Sequence, residues 1–142
     1  MKLLTFYSES HEEMYEKYFL DSYNKYLSQS FELIPNKIEQ ICVSGEYGSD
    51  GFSHAMMEKI NHIINNIDVK DNEPLVFADC DIQFFSDFSK EITQELGGYD
   101  IKFQTDVTCL CAGFFVCKQS AKVLKFFTDV KYPWKEESPS LS

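Results

Sequence analysis

Residues 74–81 read PLVFADCD, and how this stretch is read decides the fold. Four apolar residues follow Pro74 and give way to two carboxylates, Asp79 and Asp81, with Cys80 between them. The apolar run fits a short buried strand. A carboxylate pair at its end repels itself and resists burial unless something positive sits beside it. Two readings follow: a strand ending at a solvated turn, or a carboxylate pair that holds a divalent metal.

Working outward, helical and strand-like segments alternate. Residues 2–7 (KLLTFY) predict a strand. Ser10 and Glu13 match a capping box that opens a helix from about residue 11 to 27. That helix carries a stripe of Met14, Tyr15, Tyr18, Phe19, Ser22 and Tyr26, expected to face the core. Residues 31–34 (FELI) predict a strand stopping before Pro35, and 44–51 (SGEYGSDG) a surface loop. A second helix is expected over 51–67, and a third over 86–96, closed by Gly97-Gly98. Strands at 100–104 and 112–117 precede a last helix over 119–130 and a polar, fraying tail. This order predicts one α/β domain over 1–134: a Rossmann-like, mostly parallel sheet with helices on both faces, followed by a polar tail, 135–142. Ligands of such sheets bind outside the carboxyl ends of the strands, where Asp79 and Asp81 fall.

Composition narrows the function. The 142 residues are 44% hydrophobic and 15% aromatic, which excludes a disordered chain. Thirteen basic against 23 acidic side chains give a net charge of −10 and no basic stripe, arguing against nucleic-acid binding. An anionic ligand must then be met locally, by a metal, a helix N-terminus or one well-placed lysine. Five cysteines without CxxC spacing, and three scattered histidines, do not make a zinc site; reduced, mostly buried thiols are expected. No window reads as a signal peptide or membrane span, and there is no Asn-x-Ser/Thr sequon, so a cytoplasmic location is expected.

Lys59 is the odd placement in the second helix. It follows Ala55 by four and Met56 by three and precedes Ile63 by four, so it lies on the inward face with the apolar stripe. Either its stem packs while the ammonium reaches water, or the ammonium enters a cleft and meets a phosphate or carboxylate. For the Asp79-x-Asp81 pair, hard oxygen ligands suit Mg²⁺ or Mn²⁺, which keep positions open for phosphate oxygens. A haloacid-dehalogenase-type phosphatase also ends a strand with D-x-D, the first Asp acting as nucleophile. There the motif usually lies in the first strand with Thr or Val two residues on; here it is mid-chain and Gln83 stands in that place.

The succession VFADCDIQFF (76–85), GGYDIKFQTD (97–106) and LCAGFFVCKQSAKVLKFF (110–127) resembles the nucleotide-diphospho-sugar transferases, glycosyltransferases of the GT-A fold. FYSESHEEMYEKYFLDSY (6–23) and SDGFSHAMMEKI (49–60) are similar to the family's N-terminal portion. The resemblance implies that Asp81 is the main metal ligand, with Asp79 at the ribose or the metal's waters. It implies Ser8 near the nucleotide and Lys59 near the diphosphate. It puts Gln104 and Asp106 on the sugar or acceptor side, as the catalytic candidates, and Gly113 where the chain passes close to the donor sugar. Asp106 equally fits a turn cap, Gln104 a strand end and Gly113 a packing position. Two departures stand out. Cys111 occupies a place where many relatives carry Asn, and the family's domain continues beyond the last helix, with elements that finish the acceptor site.

The implied function is transfer of a sugar from a nucleotide-diphosphate-sugar donor to a hydroxyl acceptor on a glycan or protein, dependent on Mn²⁺ or Mg²⁺ and with retention of anomeric configuration. The alternative is a glycosyltransferase-like binding or structural module without turnover; dehalogenase-type phosphatase chemistry stands third.

Overall fold

The computed structural model describes residues 1–40 and 51–137. Strand β1 (Lys2–Tyr7) leads into a helical rod, α1, over residues 9–26, and β2 (Glu32–Lys37) follows. Then come α2 (Phe52–Asn66), β3 (Leu75–Ala78), α3 (Ser89–Leu96), β4 (Ile101–Thr105), β5 (Leu110–Cys117) and α4 (Ala121–Glu137). The sheet order is β2-β1-β3-β5-β4. β1 pairs in parallel with both β2 and β3, while β5 runs antiparallel to β3 and β4, so the sheet is mostly parallel with β5 reversed.

Alternation along the strands builds two cores. Leu3, Val76, Ala78 and Val116 face Tyr15 and Phe19 of α1 and Ile92 and Leu96 of α3. Leu4, Leu75, Phe77, Phe115 and Cys117 face Ile63 of α2 and Val123 and Phe127 of α4. Both faces being covered, the whole of β3 is apolar and fully buried. Each large side chain so buried contributes roughly 1.5–3 kcal/mol of transfer free energy. Phe77 and Phe115 add a stacked pair across β3 and β5, with ring centroids 5.4 Å apart.

Several local expectations need correction. Ser10 does not build a capping box: its hydroxyl lies 2.8 Å from His11 Nδ1, and α1 begins with a 3₁₀ turn, Glu9–His11. The rod then passes through a six-residue π-helical stretch, Tyr15–Leu20. Tyr15, Phe19 and Ser22 are buried as the stripe predicts, but Met14 and Tyr18 are exposed. β2 runs through Pro35 to Lys37; it is an edge strand, where a missing N–H is tolerated. α3 starts three residues late because Asp87 Oδ1 accepts the Ser89 N–H at 2.9 Å while Oδ2 accepts the Ser30 hydroxyl. Gly97 ends α3 where expected, with φ +49° and ψ −121°, a glycine-favoured conformation other than the αL cap.

β5 begins two residues early and closes a hairpin with β4. α4 continues through Pro133 to Glu137, where a tail was expected. Residues 44–50 of the expected loop lie outside the described residues, as does Cys42. The remaining thiols divide: Cys80 and Cys117 are buried, Cys111 is half-buried and Cys109 exposed. Among the described residues, no helix is long and apolar enough to cross a membrane.

Candidate functional site

The chain crosses from β1 to β2 by α1 on one face, then from β2 to β3 by α2 on the other. The gap between the carboxyl ends of β1 and β3 is therefore a switch point, where open α/β sheets bind ligands. A cleft opens there, floored by Phe6 and Tyr7 of β1, walled by Phe52, Ala55 and Met56 of α2, and edged by Asp79, Cys80 and Asp81. The N-terminus of α2, capped by Gly51 at φ 87°, lies in the same cleft. The aligned peptide dipoles of the helix place positive potential at this end.

The D-x-D segment is a turn pinned from three sides. The Ile82 N–H reaches the Asp79 carbonyl at 3.1 Å, closing the turn, and the Asp79 N–H reaches the Gly113 carbonyl of β5 at 2.7 Å. Cys80 packs into the α1-side core, so the carboxylates on either side of it are left facing the cleft. Burial pushes the Cys80 thiol up to about 12, helped by the charges of Asp81 and Asp79. Asp81 is exposed, whereas burial raises the Asp79 carboxyl above its ordinary range against the pull of Lys59, with Asp81 pushing the same way as burial.

Lys59 takes the inward reading. Its side chain is only 11% exposed, and its ammonium donates to Asp79 Oδ1 at 3.2 Å and to the Ala112 carbonyl at 2.9 Å. It also stands 4.4 Å above the centroid of the Phe77 ring. The carboxylate, the carbonyl and the aromatic face together offset the loss of water around the buried ammonium.

Ser8, Lys59, Asp79 and Asp81 thus meet in one cleft. Gly113 lies directly behind Asp79. Gln104 and Asp106 do not line this cleft. Both are exposed, and Asp106 accepts the Val107 N–H at 2.6 Å on Oδ1 while its own N–H reaches the Cys109 carbonyl, the pattern of a turn cap. Sequence reasoning missed Tyr7, which lines the cleft and stacks on Tyr15 at 4.2 Å, and the histidines His11 and His54 at the cleft wall. The end of β1, already suspected through Ser8, was the available signal for Tyr7. Among the described residues, no three His, Cys, Asp or Glu side chains come together as a closed metal cage.

No protein-family model matches the sequence, and no curated protein matches it. Solved structures do. The glycosyltransferase GlyE of Streptococcus pneumoniae TIGR4, in its apo form, superposes with a TM-score of 0.60 at 10% identity, over 93% of this chain and 38% of its own. The galactosyltransferase LgtC, solved with donor and acceptor sugar analogues, superposes with a TM-score of 0.60 at 8% identity, over 100% of this chain and 66% of its own. This chain spans less than two thirds of either neighbour. At such identities the likeness speaks to the fold alone. The fold is one shared with these two structures, an α/β domain with a mostly parallel sheet and helices on both faces.

Proposed function

We propose that the cleft binds a nucleotide-diphosphate-sugar together with Mn²⁺ or Mg²⁺, and that the protein transfers the sugar to a hydroxyl acceptor. The observation that carries this reading is the convergence of Asp79, Asp81, Lys59 and Ser8 on one cleft at the switch point of a glycosyltransferase-like sheet. Two carboxylates are too few for an all-protein cage. They suit an ion that completes its shell with water and diphosphate oxygens, the usual habit of Mg²⁺. Asp81, the exposed carboxylate, and Asp79 Oδ2, free of the lysine, are the oxygens that would hold it. When bound, such an ion neutralises the diphosphate as the leaving group departs. Lys59 supplies a second, fixed positive charge at the same place, and the α2 N-terminus a third source of positive potential. Phe6, Tyr7, Phe52 and Met56 form an apolar wall that excludes water from one side of the ligand.

Binding without transfer is the second reading, and one observation favours it. Gln104 and Asp106, the residues implied for catalysis, are exposed at the hairpin and outside the cleft. Melting temperature measured against a panel of nucleoside diphosphates and nucleotide-sugars, with Mn²⁺ and then with chelator, tests both readings. A rise that needs both metal and one nucleotide supports the site, since a ligand bound only to the native state stabilises it. Release of free sugar or of nucleoside diphosphate from that donor then separates an enzyme from a binding module. No shift with any ligand in a folded sample refutes the site.

A further inference from the structure

The ladder between β4 and β5 runs in step from Ile101 opposite Cys117 to Phe103 opposite Phe115, then jumps so that Gln104 faces Cys111. Three residues of β5, 112–114, are thereby left without a β4 partner. All three turn instead toward β3 and the cleft. Phe114 pairs with Ala78, the Gly113 carbonyl accepts the Asp79 N–H, and the Ala112 carbonyl accepts the Lys59 ammonium. Bulges commonly re-aim groups beside binding sites, and this one supplies two carbonyls to the two charged residues at the centre of the cleft.

Gly113 shows why the bulge has this composition. A Cβ built on it would lie 2.7 Å from Asp79 Oδ2 and 3.4 Å from Cys111 Sγ. Its backbone is not left-handed; among the described residues the glycines with positive φ are Gly51 and Gly97. A side chain here would meet no conformational bar but would have to displace the Asp79 carboxylate, whose other oxygen is held by Lys59.

We propose that the 112–114 bulge of β5 is a positioning device: the Ala112 carbonyl and the vacancy at Gly113 fix Lys59 and Asp79 as one preformed pair. Its purpose rests on the reading of the cleft as a nucleotide-sugar site, but its physical content does not require a ligand. The close neighbour of Gly113 is the chain's own carboxylate, Asp79.

The test is a double-mutant cycle read by urea unfolding without any ligand. Gly113→Ala is expected to raise the unfolding constant about tenfold with Asp79 present and less than about threefold in the Asp79→Ala background, because the group it strikes has gone. Equal penalties in the two backgrounds, or failure to fold in both, overturn the proposal. A variant that folds only once Asp79 is also removed supports it. A second readout follows the Lys59 ammonium by ¹H–¹⁵N NMR, its signal identified by disappearance in Lys59→Met. Gly113→Ala is expected to shift or broaden that signal; an unchanged signal overturns the proposal. Neither result depends on donor binding, so a failed ligand screen leaves this test intact.

Discussion

Asp81 and Lys59 act on Asp79 in opposite senses and answer to different physics. Asp81 is exposed and makes no ion pair among the described residues, so folding does not lean on it. Asp81→Ala should leave stability within about 0.5 kcal/mol while abolishing the metal-dependent rise in melting temperature with nucleotide. Nucleotide affinity equal to that of the unaltered protein would rule out its role as ligand. Lys59 is structural as well as functional. Lys59→Met leaves the Asp79 carboxylate beside Asp81 with no cation and the Ala112 carbonyl with no donor. Asp79 keeps 38% of its side chain in solvent, so the loss should be about 1–2 kcal/mol and not the larger figure of a fully buried pair. The sign with pH is fixed. Burial already raises the Asp79 carboxyl above its unfolded value, so its ionisation opposes folding as pH rises through that range. Without Lys59 the opposition grows, and urea midpoints should differ less between variant and parent at acid pH than at neutral pH.

Among the elements, one hydroxyl hydrogen-bonds α1 to the segment after the D-x-D turn, beside the Phe19–Phe84 ring contact. Ser22, placed by the sequence in an apolar stripe, lies 2.6 Å from the Tyr18 carbonyl and accepts the buried Phe84 N–H at 3.0 Å. Ser22→Ala orphans that N–H, and a loss of about 1–3 kcal/mol is expected in urea unfolding. A smaller change would mean that water or a shifted loop satisfies Phe84. The sequence made the elements legible where local pattern governs. The α2 stripe, the acid-ended apolar run of β3 and the Gly97 cap all stand close to their expected residues. It did not make legible what pairing partners decide. The passage of β2 through Pro35 depends on its edge place, and the reversal and bulge of β5 depend on β3 and β4. The inward face of Lys59 was readable from spacing, but its choice of Asp79 and Ala112 was not, because neither lies near it in sequence.

At the scale of the whole molecule, closing both faces of the sheet keeps three acidic groups neutral. Burial pushes Cys80, Cys117 and Tyr15 each up to about 12, from ordinary values of 9.0 for the thiols and 10.0 for the phenol. Because the folded values are the higher, their contribution is whole below about pH 9 and is lost as pH climbs toward 12. Stability should therefore fall above pH 9, with a slope approaching about 1.4 kcal/mol per pH unit for each group. Urea midpoints at pH 8, 10 and 11 measure it, and a flat profile would show that these groups ionise in the folded state.

The place of β1 between β2 and β3 also orders events in time. The β4–β5 hairpin joins neighbours in the chain, whereas Leu4 meets Phe77 only after the intervening segment closes a long loop. Local pairings form sooner than distant ones, because loop closure is entropically opposed before any contact rewards it. The hairpin, with its bulge, should be protected first in pulsed hydrogen exchange, and the amides joining β1 to β3 last. Simultaneous protection would count against that order. Since the cleft is the seam between those two strands, ligand recognition would be the last property the folding chain acquires.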